Sequence, residues 1–332
     1  MTGHKMIKIQ NAIDEHIVRT LLYYDIFNYP LKSEEIFRFL GIHELRESSI
    51  ISRLCRLKEQ GLVFQFENFF SLHNNRAAID RRIKGNSEAD KYLVIAQRKA
   101  NFIAKFPFVR AVLASGSLSK GYMDERSDLD FFVITAPGRL WIARTLLVMY
   151  KRLFLFNSHK YFCINYLVDE DHLEIEEKNL FTATELATVI PLYGSKHYQS
   201  LHRANPWLKR FFPNYIPRQI ANVPLSKLSS LKRFLEKFLN IIFGTRLERY
   251  FQKKTLSRWK NQYQKNYSAT DFKVAFKSKS YASKNHPRNF QKKIMDVYVE
   301  KLVSVGLNSD DAYKLTATAV EKEYQLNLDS KT

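Results

Sequence analysis

Apolar residues recur at helical spacing over 10–26, with Ile13, Ile17, Val18, Leu21 and Leu22 on one stripe. Pro30 stops that segment, and a short second helix restarts at Ser33 with Glu35 and Ile36 and ends at Gly41. A third helix is expected from Glu47 to Gln60, with Ile50, Ile51, Leu54 and Leu57 on one face and Gly61 after it. LVFQF and FFSLH, separated by Glu67 and Asn68, read as a hairpin. Residues 74–86 are polar and basic and read as a linker. Ser87 is a good N-cap for a helix through about Lys105, with Leu93, Ala96, Ala100 and Ile103 inward and Pro107 beyond its end. VRAVLAS (109–115) and FFVIT (131–135) read as buried strands, 138–154 as the helix after them and 160–168 as a third strand. A further helix is expected within 180–194, ending before Pro191. Beyond it, Leu231, Phe234, Leu235, Phe238, Leu239 and Ile242 share one helical stripe opposite Lys and Arg, a stripe expected to be buried against the preceding segment.

The order of these elements predicts an α+β chain in three parts. Residues 1–78, three helices and a hairpin, have the order of a winged helix. Residues 79–195 carry a mixed-sheet core, and 196–332 a basic helical domain. The third helix shows Ser49, Arg53 and Arg56 away from its apolar face. In a DNA-binding winged helix that face lies in the major groove; other winged helices only dock protein.

Composition adds partners rather than fold. The 332 residues are 45% hydrophobic and 26% charged, which excludes collagen-like, disordered and mini-protein classes. Cys55 and Cys163 form no disulfide framework and no four-cysteine zinc cage, so a reducing, cytoplasmic setting is expected. His159, His172 and His197 do not show zinc spacing with them. No long apolar run predicts a membrane span, and the first 20 residues do not read as a signal peptide. The net charge of +20 is uneven: residues 111–195 are slightly acidic at −3, whereas 196–332 carry +17. A field of that sign attracts polyanions, phosphate above all. Tyr250, Phe251, Trp259 and Tyr263 among the bases could stack on nucleobases, or the segment could lie on a membrane surface. Residues 278–293, with Lys284, His286 and Arg288, are dense in phosphate-type side chains.

The chemistry concentrates in GSLSKGYMDERSDLD (116–130) between two apolar strands. With a strand period of two, Asp128 and Asp130 point to the same face. Two carboxylates at that spacing can share divalent metals, and hard oxygen ligands select Mg²⁺ or Mn²⁺. Gly116 lets backbone amides approach a phosphate, Ser117 can bond a terminal phosphate oxygen, and the start of a helix just after them favours the same charge. Lys120 or Arg126 could neutralise a triphosphate.

This stretch resembles the DNA polymerase β-like nucleotidyltransferase superfamily, whose signature is Gly-Ser followed about ten residues on by Asp-x-Asp. The resemblance covers roughly 109–170. It implies Mg²⁺-dependent transfer of a nucleoside monophosphate from an NTP to a hydroxyl, with Asp128 and Asp130 as catalytic metal ligands and Gly116, Ser117 and Lys120 on the nucleotide. It also implies a third carboxylate on the next core strand. The position that fits is Asn165, an amide that cannot serve as a base; Asp169 and Glu174 are nearby substitutes. The departure leaves an alternative: a nucleotidyltransferase-like fold that senses nucleotide and regulates through bound nucleic acid.

Overall fold

The computed structural model describes residues 11–309 except 45, 157–159, 243 and 288; His159 and Arg288 lie outside the described residues. Asn11 caps α1 (Ala12–Asp25) by accepting from the Ile13 amide at 2.9 Å, and the helix buries Ile17, Val18, Leu21 and Leu22 as its spacing predicts. The chain continues through β1 (Leu31–Lys32), α2 (Ser33–Arg38) and α3 (Glu47–Glu59), then the hairpin β2 (Phe64–Phe66) and β3 (Phe69–Ser71). β3 lies between β1 and β2 in an antiparallel three-stranded sheet.

The expected linker is helical. α4 (Arg76–Ile103) starts at Asn75, whose side chain accepts from the Ala78 amide. The charged stretch 76–86 is tolerated in a helix because Ile79, Arg82 and Gly85 turn inward while the remaining charges face water. Ser87 therefore sits mid-helix rather than at a cap, and Leu93 is exposed while Ala89, Ala96, Ala100 and Ile103 form the buried face.

β4 (Val109–Ser115), α5 (Gly116–Ser119), β5 (Asp130–Thr135), α6 (Leu140–Phe154) and β6 (Cys163–Asp169) follow. α7 (Leu180–Thr188) ends before Pro191 as expected, and Ile190–Tyr193 form β7, a strand not expected from the sequence. Pro191 has no N–H to donate, which a strand tolerates at a sheet edge, and β7 is an edge. The remaining elements are α8 (Ser195–Ala204), α9 (Leu208–Phe211), α10 (Ser230–Ile242), α11 (Gly244–Tyr263), α12 (Ala269–Ala275), β8 (Ala282–Lys284) and α13 (Phe290–Ser304).

The central sheet has the order β7-β4-β5-β6-β8; β5 and β6 run parallel and the other neighbours antiparallel. Its faces alternate residue by residue. Leu113, Phe132 and Val168 pack with α1 and α7, whereas Val112, Phe131 and Val133 pack with α4, α6 and Trp259 of α11. The segment expected to be a separate helical domain thus contributes β8 to the central sheet, and α13 packs against both α1 and α7.

Two expectations for that segment are corrected. Lys284 lies within β8 at 5% exposure and donates to Gln291, so it is not a surface phosphate contact. The α10 stripe is not buried: Leu231, Phe234 and Phe238 face out, and the helix turns Lys232 and Glu236 inward. Polar anchors decide its rotation. Glu236 takes both Arg110 guanidinium nitrogens at 2.8 and 2.9 Å and the Phe108 amide, and Lys232 donates to the Ala104 and Val109 carbonyls. Among the described residues, no helix is long and apolar enough to cross a membrane.

Candidate functional site

β4 ends at Ser115, whose register partner is Asp130, the first residue of β5. This pairing closes the loop 116–129 and returns Asp130 to the Gly-Ser bend. Gly116 has φ +63°, and a Cβ there would lie 2.2 Å from Asp130 Oδ2. Only glycine allows both the backbone conformation and the approach of the carboxylate. Ser117 follows in the single turn of α5, whose far end is tied down by the Tyr29 hydroxyl donating to the Lys120 carbonyl and the Asn86 amide donating to the Gly121 carbonyl.

Asp128 precedes the strand and is exposed, so the strand period does not govern its direction. Its charge nevertheless acts on Asp130. Burial first, then the Glu185 and Asp128 charges, together push the Asp130 carboxyl up to about 7, against hydrogen bonds from Cys163 and Asn165. The β5–β6 ladder is irregular between Phe131 and Phe132, where Ile164 and Tyr166 are the partners, so Asn165 is the extra residue of a bulge. Its amide nitrogen donates to Asp130 Oδ1, and its oxygen accepts from Cys163 Sγ at 3.0 Å. The place expected for a third carboxylate is therefore beside Asp130 and holds an amide.

Neither proposed substitute reaches it. Asp169 pairs in register with Thr135, five residues along from Asp130, or roughly 17 Å at strand rise, and is bound to His172 at 2.6 Å. Glu174 is exposed and pairs with Lys178. The acid that does come close is Glu185 on α7, 2.6 Å from the Lys120 ammonium. Lys120 also donates to the Gly116 carbonyl at 3.2 Å, so it spans from the bend to Glu185. The sequence signal for Glu185 is faint: one acid in the otherwise uncharged LFTATELAT.

Comparison with protein-family models, with curated proteins and with solved structures returns no significant match. Among the described residues, no cluster of three or more His, Cys, Asp or Glu side chains is gathered as a metal cage. Asp130 with Asp128 offers hard oxygens, and the glycine cradle keeps one Asp130 oxygen against the bend. That donor set suits Mg²⁺ or Mn²⁺.

The structure brings Gly116, Ser117, Lys120, Asp128 and Asp130 into one loop–sheet junction. Ser49, Arg53 and Arg56 lie on α3, outside it. Arg53 is 3.3 Å from Asp14 of α1 and serves helix packing, Ser49 is half-buried, and Arg56 is exposed. Arg126 is exposed on the motif loop, its amide bonded to Asp124.

Proposed function

We propose that this protein is a Mg²⁺-dependent nucleotidyltransferase of the polymerase β-like kind, transferring a nucleoside monophosphate from an NTP to a hydroxyl acceptor. One observation carries the reading: the Asp130 carboxylate rests against the Gly116 bend, with Asp128 and Glu185 close enough to perturb it. Gly116 and Ser117 hold the β/γ-phosphates through backbone amides and a hydroxyl. Lys120 neutralises terminal phosphate charge once released from Glu185. Asp128 and Asp130 hold the metal, which supplies charge neutralisation and polarisation for in-line phosphoryl transfer. Asn165 fixes the Asp130 carboxylate through its amide and takes no proton; Glu185 is the nearby group able to accept one. The N-terminal unit is read as a winged helix, with Arg56 as an exposed base of its third helix.

The test is Mg²⁺-dependent release of pyrophosphate from labelled NTPs, comparing the native protein with Asp128→Asn and Asp130→Asn. Loss in both variants supports the reading; equal release from all three proteins refutes it. A second reading is favoured by the amide at Asn165: a fold that binds nucleotide without turnover and regulates through nucleic acid. It predicts NTP binding without pyrophosphate, and salt-sensitive DNA or RNA binding weakened by Arg56→Ala.

A further inference from the structure

Beside the carboxylate cluster, a cleft of 790 Å³ opens between α2, the β2–β3 turn, α4 and the end of α5. That volume suits a small molecule. Most charges on its walls are matched. Arg82 meets Glu35 at 2.8 Å, Lys120 meets Glu185 at 2.6 Å, and Lys32 lies 3.9 Å from Glu34. Glu67 is taken by Arg76 from outside. Arg38 and Arg218 are different: among the described residues neither has a carboxylate partner. Each donates to a main-chain carbonyl, Arg38 to Ala187 at 3.3 Å and Arg218 to Ser119 at 3.0 Å, and Arg38 also lies 5.0 Å over the Tyr215 ring, so both cations are held by neutral groups.

Among the described residues, two polar atoms on this wall lack hydrogen-bond partners. Arg38 Nε is buried without a hydrogen bond, and so is the hydroxyl of Tyr24, a residue only 4% exposed. Arg38 is close enough to act electrostatically on both Tyr24 and Arg218. Two guanidinium groups and a phenol hydroxyl converging on one cleft are donors of the kind that bind an oxyanion. A phosphate group supplies the charge and enough acceptor oxygens for all three, and the forked donors of arginine match its geometry. The Ser119 and Thr188 hydroxyls, 3.1 Å apart, add to the polar wall. We propose that this cleft binds a small phosphomonoester, its phosphate held by Arg38, Arg218 and the Tyr24 hydroxyl. The assignment stands whether or not the neighbouring carboxylates transfer nucleotides.

The experiment is calorimetric titration of the full chain with inorganic phosphate and with glycerol 3-phosphate at constant ionic strength. Saturable binding is expected, tighter for the ester. Arg38→Gln and Arg218→Gln should each weaken it about tenfold. Tyr24→Phe should weaken it by about threefold, while Ser117→Ala and Asp130→Asn leave it unchanged. Arg218 is exposed, so its variant tests the site even where Arg38→Gln disturbs packing. No saturable binding, no gain from the ester, or loss in Ser117→Ala with retention in Arg218→Gln overturns the assignment.

An independent observation concerns α10. Leu231, Phe234, Phe238 and Ile241 are 68%, 65%, 48% and 73% exposed along one stripe. Every exposed charged residue of α10 and α11 is Lys or Arg, including Arg233, Lys237, Arg249 and Lys253, while Glu236 and Glu248 are turned inward. A nucleic-acid backbone would satisfy the bases but leave four large apolar side chains in water. A bilayer surface rich in anionic lipid satisfies both. We infer that α10 lies on such a surface, its apolar stripe at the level of the headgroups. Co-sedimentation with vesicles of phosphatidylcholine, with and without phosphatidylglycerol, tests it. Binding should require the anionic lipid, weaken in high salt, and fall about tenfold in Phe234→Ser/Phe238→Ser, whose exposed positions keep the variant folded. Absence of vesicle binding, or binding unaffected by that double substitution, overturns it.

Discussion

Asp130 is a carboxyl held in the wrong surroundings for its charge. Its folded pKa, about 7, lies above that of an unfolded aspartate. The fold therefore favours the protonated form. That contribution is complete below about pH 4 and is lost as pH rises through about 7. In metal-free buffer, Asp130→Asn should therefore gain stability over the native protein between pH 5 and pH 8, by about 2–4 kcal/mol at the upper end. Added Mg²⁺ should narrow the gap by stabilising the native carboxylate; parallel melting curves at all pH values would refute the argument. Glu185→Gln removes the largest neighbouring charge acting on Asp130, so the Asp130 carboxyl should titrate about one unit lower by carbon NMR. Gly116→Ala introduces both a positive-φ side chain and a clash with Asp130 Oδ2. It should cost about 1–3 kcal/mol in urea unfolding and abolish any Asp130-dependent pyrophosphate release.

Among the elements, α10 is the clearest case of polar anchors overriding an apolar pattern. Its stripe faces water because Glu236 and Lys232 reach the start of β4, and the half-buried Leu235 and Leu239 are the apolar residues that turn with them. Glu236→Gln weakens the pairing with Arg110 and should lower stability by about 3 kcal/mol, seen as a lower urea midpoint at unchanged slope. α4 teaches a related lesson. Its first three turns look like a linker because bases are as frequent there as apolar residues, yet Arg82 is buried against Pro30, Glu35 and the Tyr29 ring. β7 was hidden by its proline and its four-residue length. The apolar helices and the strands flanking the motif were legible, since periodicity reports burial on one face.

For the whole molecule, the chain's return is decisive. β8 closes the edge of the central sheet beside β6, and α13 covers α1, so the last described elements support the first. A chain ending at Phe276 should lose cooperative thermal unfolding by circular dichroism, although the motif remains intact. A truncation that melts like the full chain would show that the return is dispensable.

The sequence by itself determined the α+β composition, the uneven positive charge and the loop that carries Gly116, Ser117, Asp128 and Asp130, because these depend on local spacing and residue chemistry. It also placed Asn165 at the position beside Asp130. Only the tertiary structure decided that Glu185 approaches from α7, that Arg38 and Arg218 share a cleft without a carboxylate, and that the α10 stripe turns outward. Those facts join residues far apart in the chain, and their energetics depend on burial and pairing that no local pattern encodes.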